Sequence, residues 1–528
     1  MSLRFILGRA GAGKTRLCLD EIRQRLRQAP DGPPLVFLVP EQATFQTEHA
    51  LALTPGLPGI MRAYVLSFRR LAWRVFSEVG GAARPHIGEL GKQMLLSRIL
   101  EERRRELSVF GRAARQFGFA GTVARALSEL KTYLVTPEDL ERAGGLLAGR
   151  SGAGSLAGKV RDLRLVYKEF EARLAGRYVD PDDYLTLLAA QLEHSRTLAG
   201  GEVWVDGFAG FTPQEFRVLQ GLLRAAGRVS VALCVDPSHD REAEAGLFHV
   251  TGETHARLAE LARHGGIALE RPVRLGERQR PRFKNSPGIA HLEREFFRRP
   301  AAVYSGDAGL TLAAAANRRA EVESAAREIR RLCRERGYRW REVSVVVRDL
   351  ENYHELLAIG FADYGIPCFI DRKRLVLHHP LVEFIRAALE VVYTDWAYDP
   401  VFRWLKTDLA PVSREEVDLL ENYVLAHGIR GAKWTDDQDW PYLSAATLEA
   451  GAPDEAERRW LARVNGIRRR AARRLREFQE RVAAPGNVRE LTASLYDLVA
   501  GSDVPEQIAR WSREAEQEGL LDIAREHR

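Results

Sequence analysis

Eight consecutive residues near the start of the chain, Gly8-Arg9-Ala10-Gly11-Ala12-Gly13-Lys14-Thr15, match G-x-x-x-x-G-K-[ST] at every required position. The chemistry of that spacing is phosphate binding. Glycines let successive backbone N–H groups point inward around an anion, and the helix that follows adds the partial positive charge of its N-terminus. Lys14 is placed to reach the β- and γ-phosphates of a nucleotide, and the Thr15 hydroxyl to ligate Mg2+. ATP and Mg2+ are the expected ligands, with Gly8, Gly11, Gly13, Lys14 and Thr15 as the binding set.

A phosphate loop needs a carboxylate at the end of a neighbouring strand to hold the magnesium. Asp206, after the apolar run Val203-Trp204-Val205, fits that place; its other reading is a turn aspartate before Gly207. Asp236, before Pro237, competes for the role but reads more like a turn. An ATP-hydrolysing motor usually has a glutamate directly after this aspartate to orient the attacking water. Here the neighbours are Gly207 and Phe208, and Glu215 lies too far along the next helix. Losing the water-positioning group removes much of catalysis and leaves binding nearly intact. The residue types therefore predict ATP binding with slow or no hydrolysis, and name no catalytic residue.

The elements that must position these side chains alternate strand and helix. Leu3 to Leu7 reads as a buried strand, Leu35 to Val39 as a second and Tyr64 to Leu66 as a third. Helical patterns follow each, including residues 41–53 and the run from Phe68 to Val79. From about 85 to 195 the strand signal vanishes and apolar residues recur at three- and four-residue intervals, with a glycine-rich break at Gly144-Gly145 to Gly158. Strands resume at Val203 and from Val229 to Val235. A second αβ unit then opens with Leu310 to Ala313 as strand and Ala320 to Arg336 as helix. Val343 to Val347 and Pro367 to Ile370 are its further strands, and the pattern is helical after Pro380. The expected fold is α/β, with parallel sheets and large helical insertions. Its parts are 1–84 (phosphate-loop domain, first part), 85–199 (helical insertion) and 200–308 (phosphate-loop domain, second part, and connector). Residues 309–392 form the first part of a second αβ domain, and 393–528 a helical insertion that reads as truncated.

With 528 residues and 45% hydrophobic content, the chain can bury several cores and is not a mainly disordered protein. Cys18, Cys234, Cys333 and Cys368 are far apart, which argues against a disulfide framework or a zinc ribbon. Neither a membrane span nor a signal peptide is evident, so a soluble cytoplasmic protein is expected. The net charge of +7 permits a nucleic-acid partner without demanding one. Arg271 to Lys284 holds six basic residues and one acid, and reads either as a phosphate-neutralising loop or as a solvated linker. Arg458 to Arg481 carries ten arginines on a helical pattern, first an exposed helix face and second a DNA-facing one. Trp73 and Trp204 read as core, whereas Phe68 and Arg69 open a helix after the third strand and are candidates for DNA contact, as is Arg348 after Val347. The adjacent His378 and His379 diverge too far to share a metal.

Beyond the loop, Leu38-Val39-Pro40-Glu41-Gln42, Val65 to Arg74, Val205-Asp206-Gly207-Phe208 and Phe211-Thr212-Pro213-Gln214-Glu215 resemble the N-terminal half of the AddB family. So do Asn317 to Glu323, Ile366 to Arg374, His379-Pro380-Leu381, Leu420 to Val424 and Gly428 to Gly431. The resemblance implies a UvrD-like superfamily 1 helicase fold, in which the loop and strands above form a P-loop NTPase domain. It implies the second subunit of an ATP-dependent helicase–nuclease in double-strand-break repair by homologous recombination. It also implies an AddA-like helicase–nuclease partner in a heterodimer, with single- and double-stranded DNA as substrates and a scaffold that scans for Chi sequences.

Full-length members also carry a RecB-type nuclease domain and a 4Fe–4S cluster. No nuclease constellation is evident in this sequence, and its cysteines form no iron–sulfur set. With seven residues before Gly8 there is no room for the adenine-reading glutamine of such helicases, and the Gly-Asp-x-x-Gln signature is absent near Asp236. The expectation is a subunit with weak or no helicase activity of its own. The alternatives are a P-loop NTPase or kinase acting on a small acceptor, and a DNA-binding scaffold without a working nucleotide site.

Overall fold

The computed structural model describes all residues except 58, 81–83, 117, 149–153, 197, 237–245, 277–280, 372–375, 442–453 and 484–485, and the side chains of Ala148 and Asp522. Pro237, residues 277–280 of the basic stretch, and Arg372, Lys373 and Arg374 of the resemblance lie outside the described residues. The chain divides into two compact units, Met1–Ala313 and Ala314–Arg528.

The first unit is built on a parallel sheet. Its strands are β1 (Ser2–Gly8), β2 (Leu35–Leu38), β3 (Ala63–Leu66), β4 (Glu202–Val205), β5 (Arg228–Cys234) and the short β6 (Ala268–Leu269) and β7 (Val273–Arg274). The order is β3-β2-β4-β5-β1-β6, with β7 also beside β1. Runs such as Leu35-Val36-Phe37-Leu38 are buried at every position because helices cover both faces. On one face Ile6, Phe37 and Trp204 pack with Cys18, Ile22 and Leu26 of α1 (Lys14–Gln28). On the other, Leu3, Phe5, Leu7 and Val205 pack with α3 (Phe68–Val79), which follows α2 (Glu41–Ala52). Parallel register places the C-terminal ends of β1, β5, β4 and β2 along one edge, with Gly8 opposite Cys234, Val205 opposite Val231 and Leu38 opposite Val205.

Between β3 and β4 the chain leaves the sheet as helices α4 (Glu89–Glu102), α5 (Phe119–Thr132), α6 (Pro137–Ala148), α7 (Gly154–Leu174) and α8 (Tyr184–Gln191). Gly144 and Gly145 lie inside α6, not at the break the sequence suggested; two glycines weaken a helix without ending it. A buried ionic cluster ties this excursion down where it returns to the sheet. Lys131 Nζ lies 2.9 Å from Asp180, 2.8 Å from Asp183 and 2.5 Å from Glu171, and Lys92 bonds Asp180 and Asp182. The three carboxylates around Lys131 are spaced as metal ligands would be, but the ammonium occupies the centre they share. Burial pushes the Asp183 carboxyl up to about 6 despite Lys131, whereas at Asp180 the pull of Lys131 and Lys92 outweighs burial and holds the carboxyl below its usual range. From this cluster the chain enters α8, and Gln214 of α9 (Pro213–Ala225) donates to the Asp182 carbonyl at 2.8 Å, linking the excursion to the sheet's own helices. Helices α10 (His249–His264) and α11 (Pro287–Glu295) complete the unit.

The second unit is helical among its described residues: α12 (Arg318–Arg336), α13 (His354–Asp363), α14 (Pro380–Tyr393), α15 (Tyr398–Leu405), α16 (Arg414–His427), α17 (Glu455–Ala483), α18 (Val488–Gly501), α19 (Val504–Gln517) and α20 (Leu521–Glu526). The segments read as strands at Leu310–Ala313, Val343–Val347 and Pro367–Ile370 form no ladder, so the fold has one parallel sheet among the described residues where the sequence implied more than one. Their pattern is strand-like, but a strand is stabilised only by a paired neighbour. Without one, Leu312, Val346 and Phe369 are nearly fully exposed. The arginines of α17 are largely paired with acids, as in Arg469–Asp439, Arg470–Glu416 and Arg481–Asp497. Arg468 is buried over the Trp440 ring.

Removing one partner of a buried ion pair leaves a buried charge uncompensated. Lys131→Met should therefore lower unfolding stability by about 3–5 kcal/mol, measured by urea denaturation; a loss under about 1 kcal/mol would mean that the cluster is solvated. In hydrogen exchange, the amides of residues 344–347 should exchange nearly unprotected while those of Phe5 to Leu7 are strongly protected.

Candidate nucleotide site

The loop after β1 has the conformation its glycines permit. Gly11 and Gly13 adopt φ of 75° and 96°, values a side chain tolerates poorly, and Gly13 caps α1 without a side-chain bond. Lys14 turns back over the loop, donating to the carbonyls of Gly8 at 2.7 Å and Arg9 at 3.0 Å. Ala10 and Thr15 are exposed, so the loop is open to solvent on that side.

One strand, β5, separates β1 from β4, and Asp206 follows directly on β4. Its buried carboxylate accepts the Thr15 hydroxyl at 2.5 Å, a contact between residues 191 positions apart. The two groups expected to share a magnesium ion are thus adjacent. Gly207 has φ of 87°, and a Cβ there would lie 3.0 Å from Pro40. The position where a water-orienting glutamate would sit is therefore shaped for glycine. Glu215 is engaged elsewhere: it closes a capping box with Thr212, accepting the Thr212 N–H at 2.7 Å.

The second residue of the loop has a part that no sequence pattern foretells. Arg9 is buried, with Nη1 2.8 Å from Asp236 and Nε 3.0 Å from Glu293 of α11. Burial alone would lower its pKa, but those hydrogen bonds outweigh it and raise it above the usual arginine value. Asp236, the competing magnesium candidate, is thus an anchor for Arg9. No local spacing relates positions 9, 236 and 293, so only the fold reveals the network.

The remaining candidates fall at separate places. Phe68 is buried, its ring edge-on to Phe208 and Phe211, whereas Arg69 beside it is exposed. Trp204 is buried and donates to Glu21 at 2.8 Å, while Trp73 is 42% exposed. In the second unit Arg348 is exposed after Val347, and His379 Nε2 lies 3.0 Å from His527 Nδ1. No described helix is long and apolar enough to cross a membrane.

Comparison with known proteins adds a family to this geometry. A sequence profile described as "ADDB, N-terminal" matches residues 5–293. Over its whole length the chain is 67% identical to a protein of Desulforudis audaxviator, 56% identical to one of Pelotomaculum thermopropionicum and 43% identical to one of Geobacillus thermodenitrificans. Each is named as the B subunit of an ATP-dependent helicase/deoxyribonuclease, and the chain spans 46% of the length of each. Because the profile covers more than half of the chain and the likeness to these relatives runs from end to end, the chain belongs to the AddB family.

Proposed function

We propose that this chain is the nucleotide- and DNA-binding part of the AddB-type subunit of an ATP-dependent helicase/deoxyribonuclease, working with an AddA-like partner in double-strand-break repair by homologous recombination. The observation that carries the reading is the 2.5 Å contact between Thr15 and Asp206. A phosphate loop alone could hold any anion; a loop threonine joined to a strand-end carboxylate is suited to a magnesium nucleotide. Mg2+, when bound, neutralises charge on the terminal phosphates, and Thr15 and Asp206 are the residues that would hold it. Lys14 then leaves the Gly8 and Arg9 carbonyls for the phosphates, and Gly8, Gly11 and Gly13 keep the backbone N–H groups free of side chains.

The superfamily 1 helicase plan is the reading of the whole that best accommodates a helical excursion between β3 and β4. On that plan residues 1–84 and 200–308 make one nucleotide domain, 85–199 its insertion, 309–392 the start of a second domain and 393–528 a further insertion. Exposed Arg69 and Arg348 are the residues proposed to meet DNA phosphates. With Phe68 turned into the core, its part is to seat α3 and hence Arg69. Hydrolysis is slow because Gly207 stands where a water-orienting glutamate would be needed, so the chain acts as an ATP-responsive scaffold that scans the strand for Chi sequences.

In isothermal titration the chain should bind Mg-ATP, and Lys14→Ala should weaken binding on the order of 100-fold, the loss of a charge-assisted contact. Equal affinity in the variant would sink the nucleotide reading. Single-stranded DNA affinity should fall steeply with salt, whereas phosphoryl transfer to a small acceptor without DNA affinity would favour a kinase. Gly207→Glu should cost about 1–2 kcal/mol of stability, from its left-handed backbone, without raising ATP turnover. Brisk hydrolysis by a fully stable variant would contradict the role given to this turn.

A further inference from the structure

The connector after β7 is fastened to the phosphate loop at three points. Leu275 N–H donates to the Leu7 carbonyl at 2.8 Å, extending the β1–β7 pairing to the mouth of the loop. Arg282 N–H approaches the Gly11 carbonyl at 3.4 Å, and Glu293 holds Arg9. At the middle point the fit is close. A Cβ on Gly11 would meet the Phe283 ring at 2.7 Å and the Arg282 Cβ at 3.1 Å, and one on Gly13 would lie 3.8 Å from Pro281. The turn Pro281–Phe283 therefore sits against one wall of the loop, beside Gly11 and Gly13, and is held there from both sides.

The cations around this wall differ in what they are doing. Arg9 is consumed by Asp236 and Glu293, and Lys14 by two carbonyls. The Arg282 side chain is exposed and makes no ion pair or hydrogen bond with any described residue, although its backbone is docked on the loop. An arginine is well suited to phosphate, because its planar fork offers paired donors and keeps its charge at any physiological pH. A guanidinium anchored in this way beside a loop built for phosphates is placed to meet their charge.

We propose that Arg282 is a second phosphate-binding cation of the nucleotide site, contributed by the connector and acting beside Lys14 on the polyphosphate of the bound nucleotide. The inference rests on the nucleotide reading above and extends it to a residue outside the loop motif. Phe283 serves as the wedge that sets the turn against Gly11, so the guanidinium is presented by a fixed backbone and not by a free surface side chain.

The test uses the full 528-residue chain with a fluorescent ATP analogue, displaced by ATP and by inorganic tripolyphosphate, in the wild type, Arg282→Ala, Arg282→Lys and Lys14→Ala. Arg282→Ala should weaken ATP and tripolyphosphate alike by about tenfold, the scale of one charge-assisted contact, and Arg282→Lys, which restores the charge without the fork, should recover part of the loss. Tripolyphosphate has no base or ribose, so equal loss for both ligands points to phosphate recognition. Wild-type affinity in Arg282→Ala, or a lysine variant as weak as the alanine one, would overturn the role of Arg282 while leaving the nucleotide site standing. Absence of binding by the wild type, or unchanged binding by Lys14→Ala, would overturn the nucleotide reading and this inference with it.

Discussion

A single hydrogen bond between a loop threonine and a strand-end aspartate is possible only on the architecture of the whole first unit. Thr15 and Asp206 meet only if β1, β5 and β4 run parallel in the right order and register, and if the helical excursion leaves the sheet after β3 and returns to it at β4. Each requirement has its own physical support. Apolar strands are buried on both faces by helices, and the positive-φ glycines let the chain turn sharply from β1 into α1. The ionic cluster around Lys131 fixes the return path. The site depends on long-range packing even though its signature is eight residues long.

Buried charge is used here for position more than for stability. Lys131, Lys92 and Arg9 are each taken out of water and each is surrounded by carboxylates, an arrangement with little net gain over apolar packing but a high cost to break. In the helical excursion this holds the point of return to α8. At the loop it ties Arg9 to Asp236 and Glu293, while Lys14 lies on the carbonyls of Gly8 and Arg9. The same network draws α11 toward the loop and so determines where the connector turn can lie.

What the sequence displayed of this was local. The loop motif, the first five strands and Asp206 could be read because apolar runs, glycines and a strand-end carboxylate carry their meaning within a few residues. Positions related only through the fold were illegible. Arg9 stands at a position the loop motif leaves unspecified, Asp236 reads more like a turn, and nothing marks Phe283 as the neighbour of Gly11. Phe68 shows the limit of the period argument, since an aromatic at the head of a helix can face base or core, and here the ring meets Phe208 and Phe211. In the second unit the pattern of Val343–Val347 implies a strand, but pattern cannot supply the partner a strand needs, and the segment forms no ladder. That segment is irregular and largely exposed.

The most direct measurement is a crystal structure of the chain grown with ATP and Mn2+, with the metal located from its anomalous scattering. A shared metal site predicts one strong peak bridging the Thr15 hydroxyl and the Asp206 carboxylate, with the triphosphate wrapped by the loop from Arg9 to Gly13. A nucleotide bound elsewhere, or a manganese ion remote from Asp206, would contradict it.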